Sequence, residues 1–116
     1  MKRYVTTAFS LGMLGDVKEA SIDVKTTCAC ALKSAVEKGA ELRIGHQSTA
    51  DVIGEMLGME ITADRTPIQI QKNEVTTLYV IQLLKRPAEG QVYTKEEIKE
   101  IINRRLLKIY KVTVYT

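Results

Sequence analysis

The segment Leu78-Tyr79-Val80-Ile81-Gln82-Leu83-Leu84 is apolar at almost every position. A strand with one buried face alternates apolar and polar residues. A nearly unbroken run predicts a central strand covered on both faces. Such a strand needs neighbours beside it and layers above and below it. The rest of the chain reads accordingly. Tyr4, Val5, Thr6 and Thr7 are β-favouring within a strand over residues 3–9. The glycine-flanked turn Ser10–Gly15 breaks it. Ala20–Val24 alternates, predicting a second strand with one buried face. Cys28, Leu32, Ala35 and Val36 have helical spacing over 27–38, and Gly39 is placed to stop that helix. Val52, Ile53, Met56 and Leu57 predict a helix over 48–57, with Ser48 as N-cap, Asp51 at its third position and Gly58 as stop.

Ile68-Gln69-Ile70-Gln71 alternates like a half-exposed strand. Thr94-Lys95-Glu96-Glu97 is a capping box, followed by the stripe Ile98, Ile101 and Ile102 and by Arg104 and Arg105 at the helix end. Tyr110, Val112 and Val114 alternate in a last strand. About five strands and three helices, interleaved, predict an α/β fold: a mixed sheet with helices packed on it. No linker divides the chain, so residues 1–116 read as a single domain.

A chain of this length buries roughly two-thirds of its unfolded surface without a metal or disulfide staple. No apolar run approaches the roughly 20 residues of a membrane span. Met1-Lys2-Arg3 leads into a strand pattern and not into a signal peptide, so a cytoplasmic location is expected. The net charge of +3 suits a compact anion better than duplex DNA. Two cysteines and one histidine cannot build the usual four-ligand zinc site in one subunit. Cys28 and Cys30 lack the spacing of a C-x-x-C redox motif, and in a reducing compartment they are expected to be free thiols.

The sole histidine, His46, follows Gly45 and precedes the predicted N-cap Ser48. A helix N-terminus is an anion site, hydroxyls at Ser48 and Thr49 add donors, and an imidazole there can act as general acid toward a phosphate ester. A surface histidine beside an ordinary cap accounts for the local sequence as well. Arg86, held extended by Pro87, can grip a phosphate bidentately, or Arg86–Gly90 can be a solvated connection. Ser10 can bind a phosphate oxygen or simply cap its turn, and Asp64-Arg65-Thr66-Pro67 reads as a turn. There is no G-x-S-x-G elbow, no G-x-G-x-x-G and no Walker loop.

Taken together, Ala8-Phe9-Ser10 with Met13-Leu14, then Ile44-Gly45-His46 with Ser48-Thr49, Arg65, Leu78-Tyr79-Val80, Gln82, Arg86 and Glu89-Gly90 resemble the type III anti-CRISPR ring nucleases of viruses and mobile elements. The resemblance spans nearly the whole chain and is weakest over residues 15–43. It implies a homodimer that binds cyclic tetra-adenylate and cleaves it without metal or other cofactor. His46 would protonate the departing 5′ oxygen while the substrate's own ribose 2′-OH attacks, leaving a 2′,3′-cyclic phosphate. Arg86 would steady the phosphate, Glu89 would assist positioning or proton movement, and Ser10 and Arg65 would lie near the ring, with Gly45, Ser48 and Thr49 around the phosphate. An intramolecular nucleophile leaves the protein to supply in-line geometry, charge stabilisation and one acid. A two-fold dimer suits a symmetric ring.

The sequence departs from many relatives at Thr7 and Gly12, where they carry asparagine, at Gln47, where they carry aspartate, and at Pro87-Ala88, where they are longer and acidic. The alternative is a non-catalytic dimeric protein of a virus or mobile element that binds a cyclic nucleotide or nucleic acid. A structural interaction protein is a third class, for which no sequence feature argues.

Overall fold

A computed structural model describes residues 2–84 and 94–116. Its elements run β1 (Lys2–Thr6), a short 3-10 helix (Leu11–Leu14), β2 (Ser21–Thr26), α1 (Ala29–Glu37), β3 (Glu41–Arg43), α2 (Gln47–Leu57), β4 (Val75–Leu83), α3 (Lys95–Asn103) and β5 (Leu107–Tyr115). The five strands form one mixed sheet in the order β2-β5-β4-β1-β3. β1 is parallel to both β3 and β4, whereas β5 is antiparallel to β4 and β2.

The apolar run lies in the sheet's central strand, as expected. Tyr79 and Ile81 of β4 face a core built with Val5 of β1, Leu32 and Ala35 of α1, and Ala50, Ile53 and Leu57 of α2. Leu78, one residue away, faces the opposite side and packs with Tyr4, Val112 and Val114. Alternate side chains of one strand thus serve two cores. All three helices lie on the first side; α3 joins it through Ile101, buried against Val52 of α2. Its capping box forms as predicted: Glu97 N donates to Thr94 Oγ1 and Thr94 N donates to Glu97 Oε1, both at 3.1 Å.

Four sequence expectations are corrected. Ile68-Gln69-Ile70-Gln71 is not a strand. Ile68 and Ile70 are buried, but they plug the second core while the backbone runs outside the ladder; Ile70 N donates to Met13 O of the 3-10 helix at 2.8 Å. Alternation reports one buried face, which a crossing segment has as well as a strand. The fifth strand is instead β3, only three residues long, at the sheet edge. Second, β2 has no buried face: all six of its residues are exposed, Ile22 and Val24 included, because it pairs only with β5 at the sheet's other edge. Third, α2 starts earlier than Ser48. His46 is its N-cap, in extended conformation, and Ser48 falls within the first turn. Fourth, Cys28 and Cys30 are not free thiols but a disulfide, with Cα atoms 5.3 Å apart where the chain turns into α1. A C-x-C pair entering a helix brings its sulfurs together locally, which the compartment argument left out of account. The predicted stops hold: Gly39 and Gly58 follow α1 and α2 with φ of 96° and 71°, which favour glycine.

Candidate anion site at the N-terminus of α2

Because β1, β3 and β4 are parallel, their C-terminal ends share one edge of the sheet. That edge is where open α/β sheets place ligands. The end of β3 passes through Ile44 and Gly45 directly into α2, so the helix N-terminus and its positive dipole end open there. A shallow cleft of about 400 Å³ lies at this place, walled by Thr6 at the end of β1 and Thr7 just after it, by Gly45 and His46, and by Asp64–Ile68.

The Asp64–Ile68 wall is fixed by a network of polar bonds. Asp64 N donates to Ile44 O at 2.8 Å. Arg43 Nη1 donates to Asp64 Oδ2 at 2.8 Å, and Arg43 Nη2 to Glu41 Oε2 at 2.9 Å. Asp64 Oδ1 accepts from Thr66 Oγ1 at 2.6 Å and from Thr66 N at 2.9 Å. These Thr66 bonds, with a smaller contribution from the Arg43 guanidinium, hold the Asp64 carboxyl below the usual carboxylate range. Gln47 ties the preceding residues to the helix: its Nε2 donates to Ile61 O and its Oε1 accepts from Ala63 N, both at 2.9 Å. The same Nε2 also donates to Asp51 Oδ1.

The two arginines differ in what this leaves available. Arg43 is matched by two carboxylates and lies over the Tyr4 ring at 5.8 Å. Arg65 spends only its Nε, donated to Gly45 O at 2.8 Å. Its two terminal nitrogens have no hydrogen bond or ion pair among the described residues, and the side chain is exposed. The backbone tether aims an unneutralised guanidinium at the start of α2. His46 is exposed beside it, and as N-cap its side chain makes no capping hydrogen bond. Guanidinium, imidazole and helix N-terminus are groups that can, in general, bind an anion and exchange a proton with it.

Of the residues singled out in the sequence, the structure brings together Gly45, His46 and Arg65. Ser48 and Thr49 are half-buried in the first turn of α2 and do not line the cleft. Ser10 caps the 3-10 helix, exposed and outside the cleft lining, with its hydroxyl making no capping bond. Arg86 and Glu89 lie in residues 85–93, outside the described residues. Arg43, Asp64 and Thr66 went unrecognised as site-building residues. Asp-x-Thr before proline signals a side chain folding onto its own backbone, but not that Arg43, 21 positions earlier, completes it. Among the described residues, no three His, Cys, Asp or Glu side chains gather to hold a metal ion, and no helix is long and apolar enough to cross a membrane.

A mixed five-stranded sheet with its three α-helices on one side and a cleft at the parallel-strand ends defines the class of protein. More particularly, the chain belongs to the STIV B116-like family, whose model matches residues 3–106. Its structure is similar to that of B116 of Sulfolobus turreted icosahedral virus, with a TM-score of 0.74 and 24% sequence identity, over 97% of this chain and 98% of that one. At that identity the likeness establishes the fold. No curated protein sequence matches the chain.

Proposed function

We propose that this protein is a metal-independent ring nuclease that binds cyclic tetra-adenylate as a homodimer and ends type III CRISPR signalling in the cytoplasm of an infected cell. The observation that carries this reading is Arg65: tethered to Gly45 O, it offers its terminal nitrogens beside His46 at a helix N-terminus. A phosphate held there places its 5′ ester oxygen near the imidazole. The ribose 2′-OH next to that phosphate attacks phosphorus, the P–O5′ bond breaks, and His46 gives its proton to the departing 5′ oxygen. The product end is a 2′,3′-cyclic phosphate. Two such cuts on opposite phosphates turn the ring into two linear di-adenylates, and a two-fold dimer presents two copies of His46 for them. Arg86 and Glu89 are assigned by resemblance to steadying the phosphate and to positioning or proton movement.

The test is incubation of the protein with cyclic tetra-adenylate in EDTA, with products separated by chromatography. Linear di-adenylate ending in cyclic phosphate is expected, and intact ring at stoichiometric protein rules the reading out. His46→Ala should slow cleavage by about 10²–10⁴-fold while leaving ring binding largely intact, because it removes an interaction made in the transition state.

A further inference from the structure

The Cys28–Cys30 disulfide does little that a structural cross-link does. A disulfide stabilises a fold chiefly by closing a loop in the unfolded chain, and the gain shrinks as the loop gets shorter. This one spans a single residue, Ala29, and joins no two elements.

Its setting instead favours exchange. Both cysteines are exposed. Cys28 is the N-cap of α1, where serine or aspartate would usually sit; it makes no side-chain capping bond, and there is no acidic residue in the first turn. A thiolate at Cys28 would therefore meet unpaired N–H groups and the positive end of the helix, both of which lower a thiol's pKa. The pair lines a cavity of about 700 Å³ that also holds Arg105 and Lys108 and has no acidic side chain in its described lining. Neither cation has an ion pair or hydrogen-bond partner for its side chain among the described residues.

We propose that Cys28 and Cys30 form a thiol–disulfide exchange site for a low-molecular-weight thiol that carries negative charge. The incoming thiolate attacks Cys30 Sγ. The electrons of the S–S bond leave on Cys28 Sγ, the better leaving group because its thiolate is stabilised by the helix. A second thiolate then attacks the small-molecule sulfur of the mixed disulfide and releases the Cys30 thiolate. In sum, two small thiols are oxidised to their disulfide, the protein disulfide is reduced to a dithiol, and the two thiol protons pass to the cysteines or to solvent. Oxidation follows the same path in reverse. The proposal does not depend on the ring nuclease reading.

The test compares how fast 2-mercaptoethanesulfonate and cysteamine open the disulfide of the folded protein at low salt. Rates are corrected for each probe's thiol pKa. Opening is read by alkylation and mass spectrometry, and the fold by far-UV circular dichroism. The anionic probe is expected to react at least about fivefold faster, with the dichroism unchanged. Arg105→Glu with Lys108→Glu should reverse the order, and Cys28→Ser with Cys30→Ser should leave the melting temperature nearly unaltered. Three results overturn the proposal: full alkylation before any reductant is added, opening only together with loss of the dichroism signal, or equal rates for the two probes in the wild-type protein.

Discussion

Gln47 shows how much one side chain can fix. Its amide donates to Ile61 and Asp51 and accepts from Ala63, so the start of α2 is tied to the chain that becomes the Asp64–Ile68 wall. An aspartate there could accept from Ala63 N but could not donate to Ile61 O, and it would put a carboxylate opposite Asp51. Gln47→Ala should cost about 1–2 kcal/mol, read from urea unfolding. Asp64 makes a prediction that depends on pH. Its carboxyl is held low by Thr66 and then by Arg43, so its pKa in the folded protein lies below that in the unfolded chain. The stability it contributes is then complete above the unfolded value of about 4 and is lost as pH falls through the folded value. The stability gap between wild type and Asp64→Asn should be full at neutral pH and shrink in the acid range below about pH 4. A gap that stays constant with pH would exclude this role.

At the scale of elements, α2 is constrained at both ends. At its C-terminal end, a Cβ added at Gly54 would lie 2.5 Å from Met59 O, a backbone atom that cannot swing aside. Met59 N already donates to Gly54 O at 2.9 Å, which locks that approach. Gly54→Ala should therefore destabilise by about 1–3 kcal/mol despite alanine's higher helix propensity, and thermal melting would reveal the sign. The opposite case is α3. Its start rests on Thr94 and Glu97, three residues apart, and was readable in the sequence because capping is local. Thr94→Ala should cost about 1 kcal/mol. The Ile68–Gln71 segment was misread for the same reason: a local pattern reports burial, whereas pairing depends on which distant backbone runs alongside.

For the whole molecule, the proposed two-fold arrangement predicts a sedimenting species of twice the 13.0 kDa chain mass. A monomer that still cleaves the ring would sink the symmetric part of the proposal. The sequence by itself determined the central strand, since an unbroken apolar run can be satisfied only between two covered faces. It also determined three helices with their stops, whose signals lie within a few residues of one another. It marked His46 and Gly45 and, through the resemblance to a family, Arg65, but not how the fold brings them together. The tertiary structure alone decided the strand order, the extension of β3 into α2, and the return of Asp64 and Arg65 to Ile44 and Gly45, about 20 residues earlier in the chain. Those contacts join residues whose closeness depends on how parallel strands pack side by side, which no short stretch of sequence encodes. His46 and Arg65 are therefore both legible as candidates from sequence, while the tether that sets the guanidinium beside Gly45 and His46 is a product of the fold.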